Sequence, residues 1–304
     1  MNWDSLDWPA IDRLRETFLT GSAGDYWRHR SDLDNYDFTY AQRIAWKWNA
    51  VLAELRRQNW IPPSDSALDW GCGSGIAGRL VRDFFSLKTL RVFDRSALAT
   101  DYAAEAGHAE RWHNEPPGVL VLSHVLNEAR EIPAIIERAD AVLWVEPGTH
   151  ADSRALNAIR EQLREEFHVV APCTHQAACG MLAPENARHW CHFFADPPKG
   201  IMADSNWVRF AQRAGIDLRS LPYSYLVLCR ASGPLATART TAAGPAALQE
   251  QTRVIGEPRR YKGYAKVLGC DATGVREVMV QKRDGPLKAI RSGSRLPSRP
   301  VSGT

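Results

Sequence analysis

The 304-residue chain has no apolar run approaching the roughly 18–20 residues that cross a bilayer, so no membrane span is expected. Its first residues, MNWDSLDWPAIDRLRETF, mix acids with tryptophans. They show neither the apolar core of a signal peptide nor an Arg/Ser-rich transit pattern, and a cytoplasmic protein is expected. Cysteine is scarce, with six in the chain. In a reducing compartment these stay free unless a metal holds them, which argues against a disulfide scaffold. No internal repeat is visible, which argues against solenoids and propellers, and nothing signals an obligate oligomer.

What is present suits a soluble globular chain: 44% hydrophobic and 24% charged residues. The formal charge of +3 conceals an asymmetry. Residues 251–304 carry 12 Lys/Arg against 4 Asp/Glu, and the first 250 residues carry 26 against 31. A basic module behind a mildly acidic body fits a polyanion partner such as RNA, and equally fits a solvated tail.

Residues 1–60 read as an N-terminal helical segment. Ile44, Trp48, Val51, Leu52 and Leu55 follow the spacing of an amphipathic helix. From Ala67 to about residue 171, short apolar runs (ALDW, LRVFD, VLVLSHV, AVLWVEP, HVVAP) alternate with helix-like stretches, LNEAREIPAIIERA among them. That rhythm predicts βαβ units and a parallel sheet. The expected α/β domain covers 61–230. An Ala/Thr/Gly/Pro-rich linker is expected over 231–258, a small basic β-module over 259–292, and a tail over 293–304.

The segment LDWGCGSG places Gly71, Gly73 and Gly75 between a strand and a helix, where a tight turn lets a backbone approach a ligand closely. Asp94 ends the next strand 25 residues after Asp69, and an acid there can accept hydrogen bonds from a ribose diol. The spacing differs from the GxGxxG of dinucleotide enzymes. D-x-G-x-G-x-G resembles motif I of the class I S-adenosylmethionine methyltransferases, so adenosylmethionine is favoured over NAD. Cys72 reads as a packing residue. His124 and Asn127 either line the pocket or cap the helix after the fourth strand. The Asp/Asn-Pro-Pro-aromatic motif of base amine methylation is absent there, where the chain has LSHVLNEA.

Half of the cysteines lie in APCTHQAACGMLAPENARHWCHFF. Cys173, Cys179 and Cys191, with a distant fourth, lack the paired C-x2-C knuckles of a zinc ribbon. The looser spacing suits a larger cluster, with zinc as the alternative. His175, His189 and His192 are alternative ligands, and Cys229 is an alternative fourth cysteine that reads better as core.

Several segments together, namely YDFTYAQRIAWKWNAVLAEL, LDWGCGSGIAG, VLSHVLNEA, VEPGT, APCTHQAAC, WCHF and YKGYAKVLGCDATG, resemble the methyltransferase-like proteins of the mitochondrial and bacterial small ribosomal subunit. The resemblance implies a class I S-adenosylmethionine methyltransferase (Rossmann-like) domain, with Asp69, Gly71, Gly73, Gly75, Asp94 and Asn127 at the cofactor. It also implies an iron–sulfur cluster on Cys173, Cys179, Cys191 and Cys270, and action on or near small-subunit rRNA. The basic residues expected on rRNA phosphates are Arg259, Arg260, Lys262, Lys266, Lys282 and Arg283. Two alternatives remain: a non-catalytic RNA-binding assembly factor, and a small-molecule methyltransferase with a structural zinc.

Overall fold

The computed structural model describes residues 1–20, 26–126, 134–231 and 251–297. The chain divides into two compact units: Met1–Arg57, Ile61–Val145 and Ala195–Leu221 form the first, and Gln58–Trp60, Glu146–Phe194 and Pro222–Thr304 the second.

The first unit opens with three helices, α1 (Trp8–Thr20), α2 (Arg30–Phe38) and α3 (Tyr40–Arg57). The apolar stripe of α3 is buried as its spacing predicts, from Ile44 to Leu55, and Trp48 Nε1 donates to Ser123 Oγ at 3.0 Å. Five strands follow: β1 (Ser66–Trp70), β2 (Thr89–Phe93), β3 (Glu110–Arg111), β4 (Val119–Ser123) and β5 (Ala141–Pro147). They lie in the order β3-β2-β1-β4-β5, and each pair is parallel. Helices α4 (Ile76–Phe85) and α5 (Ala97–Gly107) make the first crossovers. Val119–Leu122 and Ala141–Val145 are wholly buried, as continuous apolar strands covered on both faces must be. This is the doubly wound α/β arrangement expected from the sequence. The expected helix LNEAREIPAIIERA falls partly on 127–133, outside the described residues; its end, Ala134–Arg138, is a 3-10 turn.

In the second unit, α6 (His150–Leu163) precedes β6 (Phe167–Ala171), β7 (Phe193–Phe194) and β8 (Pro222–Arg230). Both β6 and β7 pair with β8 antiparallel, so the parallel reading of HVVAP does not hold. Pairing with β8 needs no parallel crossover, because the chain reaches β8 by a long return through the cysteine segment. A separate four-stranded antiparallel sheet has the order β11-β10-β9-β12, from β9 (Gln251–Arg260), β10 (Tyr264–Asp271), β11 (Gly274–Gln281) and β12 (Arg295–Pro297). Residues 251–258, expected as linker, are therefore strand. Val254 and Ile255 are buried there, but Gly256 and Pro258 break the alternation that would have announced it. Part of the expected tail likewise pairs, with Arg295 opposite Arg253. Val254, Val267, Val280 and Ile290 form this sheet's core.

Candidate functional site: a glycine turn and a four-cysteine cavity

The glycine turn joins β1 to α4. Gly71, Gly73 and Gly75 have φ of 72°, 52° and 78°, a left-handed conformation that side chains resist. At Gly71 an added Cβ would stand 2.7 Å from Val125 Cγ1, and at Gly75 it would stand 2.9 Å from Ala103 Cβ. The turn is held from both sides. Gly71 N and Cys72 N donate to Phe93 O at 2.8 and 3.1 Å, and Gly73 N donates to Asp94 Oδ2 at 2.9 Å. Asp94 Oδ1 accepts from Ser96 N at 2.9 Å. Asp94 thus sets an ionisable carboxylate beside the turn, the group type that can accept from a diol.

Asp69 sits differently. It is wholly buried, and its Oδ2 accepts from Gly78 N at 2.8 Å. Burial pushes its carboxyl up to about 7, against the lowering effect of the Gly78 N–H. Asp69 clamps β1 to α4 and acts on the turn from beneath. Gly78 is a residue that the sequence reading missed: a Cβ there would lie 2.8 Å from Asp69 Oδ2. The repeat Gly75-x-x-Gly78 was the available signal. Trp27 was also missed; its Cζ2 is 3.9 Å from where a Gly73 Cβ would stand, and no pattern around it marks the role. Cys72 is buried, in keeping with packing. His124 follows β4 with φ of 59°. Its imidazole is buried with Nε2 unpartnered, and burial, then Lys47 and Arg43, hold it neutral, far below its ordinary value. Asn127 lies outside the described residues.

In the second unit, the four cysteines expected to act together line one cavity of about 20 Å³, with His175 and Arg160. That exceeds the roughly 10–15 Å³ that one water needs. Cys173, Cys179 and Cys191 come from the segment after β6, and Cys270 from the end of β10. Cys179 N donates to Glu161 Oε2 at 2.9 Å, and Ser224 Oγ donates to Cys191 O at 2.9 Å. Arg154 Nη1 reaches the carbonyls of Met181, Asn186 and His189, fixing the intervening loop. At Gly180 a Cβ would meet Gly274 Cα at 2.8 Å, so the cysteine segment packs closely on the β10–β11 turn.

Burial pushes all four thiols up. The charge of Arg160 opposes this at Cys173. Its guanidinium is 2% exposed, pairs with Glu161 at 3.0 Å and donates to His175 O at 3.3 Å. Arg253 is also buried and draws down Cys173 and Cys191. The buried Arg160 thus shares the cavity lining with the four cysteines, and among the described residues no carboxylate lines it. His175 Nε2 is 3.8 Å from Cys270 Sγ. Cys229, on β8 opposite His168, does not line the cavity, and neither do His189 or His192. Among the described residues, no three His, Cys, Asp or Glu side chains converge closely enough to hold a single metal ion.

The basic candidates of the β-sheet are not equivalent. Lys266 Nζ bonds Glu277 at 2.7 Å, Arg259 pairs with the same carboxylate, and Arg260 Nη2 donates to Ile290 O at 2.6 Å. Lys262, Lys282 and Arg283 have no ion pair among the described residues and are exposed.

The profile of the mitochondrial small ribosomal subunit Rsm22 family matches residues 39–294. The chain belongs to the Rsm22 family. The match takes in the glycine turn, all four cavity cysteines and the basic β-sheet. A comparison with curated proteins returned no match. Among solved structures, the chain is similar to a SAM-dependent methyltransferase from Thiobacillus denitrificans with S-adenosyl-L-homocysteine (15% identity, 60% of this chain and 90% of that one, TM-score 0.35). It is similar at the same level to one from Geobacter sulfurreducens (16% identity, 60% and 90%, TM-score 0.35). The plantazolicin methyltransferase BpumL shares 13% identity over 73% of this chain and 96% of that one, with a TM-score of 0.39. At these scores the likeness is partial. No described helix is long and apolar enough to cross a membrane.

Proposed function

We propose that this Rsm22-family chain binds adenosylmethionine at the glycine turn and acts as a methyltransferase on or near small-subunit rRNA in the cytoplasm. Its second unit would carry an iron–sulfur cluster on Cys173, Cys179, Cys191 and Cys270. The observation that carries the cofactor reading is the turn itself: three left-handed glycines open the backbone beside Asp94, whose carboxylate suits a ribose diol. Adenosylmethionine brings an electrophilic methyl group, and the chain's part is to bind and orient it. Titration calorimetry tests this directly: micromolar binding is expected, and no heat of binding would sink the enzyme reading.

The cavity's donor set fits a thiolate-bound metal. Four half-buried cysteines, with no carboxylate among the described residues of the lining, favour a thiophilic centre. Arg160 lines the same cavity and favours the ionised form of Cys173, the form in which sulfur binds a metal. One zinc would draw four sulfurs to about 2.3 Å from one point; the cluster reading rests on the family resemblance and on the loose spacing of the cysteines. Loss of iron and sulfide in Cys270→Ser, without loss of adenosylmethionine binding, is the expected result.

A second reading, cofactor binding without turnover, has one observation in its favour. The position after β4 holds His124, buried and neutral, where an amine-methylating enzyme has its Asp/Asn-Pro-Pro-aromatic motif. Transfer of a radiolabelled methyl group to purified small subunits separates the two readings.

A further inference from the structure

The turn between β9 and β10 carries two tyrosines whose rings stack, with centroids 4.6 Å apart and planes 14° from parallel. Tyr261 N donates to Tyr264 O at 2.8 Å, which closes the turn around Lys262 and Gly263. Lys282 is brought to the same tip by its backbone, since Lys282 N donates to Gly263 O at 3.0 Å. Tyr264 covers one face of Tyr261, yet Tyr261 remains 45% exposed. The exposed ring thus presents an open aromatic face to solvent at the hairpin tip.

The cations at the tip are the ones left available. Lys262, Lys282 and Arg283 have no ion pair among the described residues, whereas Arg259 and Lys266 share Glu277. An open aromatic face on a tip that also carries exposed cations matches the chemistry of a single-stranded nucleic acid, with a base on the ring and phosphates on the ammonium groups. A protein partner would more often be met by a wider apolar patch than by one ring among lysines.

We propose that the β9–β10 tip is a stacking site for an unpaired RNA base. The base lies on the open face of Tyr261, and Lys262 and Lys282 hold the flanking phosphates. This rests on the rRNA reading and adds to it a residue that reads no sequence but selects single-stranded over paired segments. Tyr264 is a positioning residue that backs the Tyr261 ring.

The test uses the full chain, with a labelled oligouridine dodecamer and a small-subunit rRNA transcript followed by fluorescence anisotropy. Tyr261→Ala should weaken binding to both by roughly 5- to 100-fold, the range of one lost base stack. Tyr261→Phe should bind within about twofold of the parent chain. Tyr261→Leu keeps an apolar contact on Tyr264 without an aromatic face, and should weaken binding like the alanine variant while melting near the parent temperature. Lys262→Ala with Lys282→Ala should flatten the dependence of log K on log salt by about 1.4, at roughly 0.7 per phosphate on a single strand. Photocrosslinking with 5-iodouridine should map to the peptide bearing Tyr261. Parent-like affinity in both the alanine and leucine variants, with the lysine effect intact, would overturn the stacking site while leaving the rRNA reading standing. Failure of the parent chain to bind the transcript would overturn both.

Discussion

At Gly71, Gly73 and Gly75 the backbone itself forms the site, whereas at Cys173, Cys179, Cys191 and Cys270 side chains form it. The first is complete without a ligand. Its backbone N–H groups donate to Phe93 O and to Asp94, and its tightness comes from Val125 and Ala103 pressing where side chains would be. The second is assembled from separate segments: four half-buried cysteines and the buried Arg160 line one cavity. A site made of backbone is set by local conformation. A site made of converging side chains is set by tertiary structure and by what it holds. The two therefore ought to fail separately.

Removing one thiolate gives the largest separation. Cys270→Ser should reduce bound iron and sulfide to background and lower stability by several kcal/mol, since metal binding free energy adds to folding free energy. Adenosylmethionine affinity should stay unchanged. The hairpin itself should persist, because Gly256 N still donates to His192 O and Thr174 Oγ1 to Gln251 O; amide exchange over β9–β11 reports it. The mirror experiment is Gly75→Ala. It forces a Cβ into Ala103 at a positive φ, and should destabilise the chain by about 2–4 kcal/mol. It should abolish cofactor binding while iron content per folded chain is retained.

Smaller effects sharpen the contrast within each site. Arg160→Leu removes a buried cation from the thiols and leaves Glu161 without that partner. A loss of about 2–3 kcal/mol is expected by denaturant titration, discounted because Glu161 is 30% exposed. Asp94→Asn keeps an acceptor for Gly73 but loses the charge, and should weaken adenosylmethionine by roughly 10- to 100-fold. Asp69 gives a pH signature. Its carboxyl stays protonated up to about 7 in the native chain, while an unfolded aspartate ionises near 4. The unfolded state therefore binds fewer protons between those values, and stability falls as pH rises through that window. Asp69→Asn should remove a decline of about 1 kcal/mol between pH 6 and 7, read from urea midpoints.

The difference between the two sites also explains what could be read from the chain alone. The glycine turn was legible because left-handed backbone demands glycine, and the demand leaves its mark at fixed spacing. Gly78 was legible in principle, through the same spacing. The βα rhythm of the first unit was legible because strands buried on both faces are continuous apolar runs. The cysteine cavity was only half legible. Cys173, Cys179 and Cys191 announce themselves by proximity, but Cys270 is joined to them by family resemblance, across a strand that reads as linker. Arg160 was invisible, because an arginine on a helix gives no sign that its guanidinium is buried among thiols. Trp27 was invisible for the same reason: its contact with the turn is made by the fold. The ranking of the basic residues likewise needed Glu277 and the Ile290 carbonyl in place.

The most direct measurement is the metal and sulfide content of the full chain isolated under anaerobic conditions, beside Cys270→Ser and Cys229→Ser. Iron and acid-labile sulfide in near-equal amounts, with broad visible absorbance, are predicted for the parent and for Cys229→Ser, and their loss is predicted for Cys270→Ser. A colourless parent chain holding neither iron nor sulfide, or equal content in the parent and Cys270→Ser, would contradict the account.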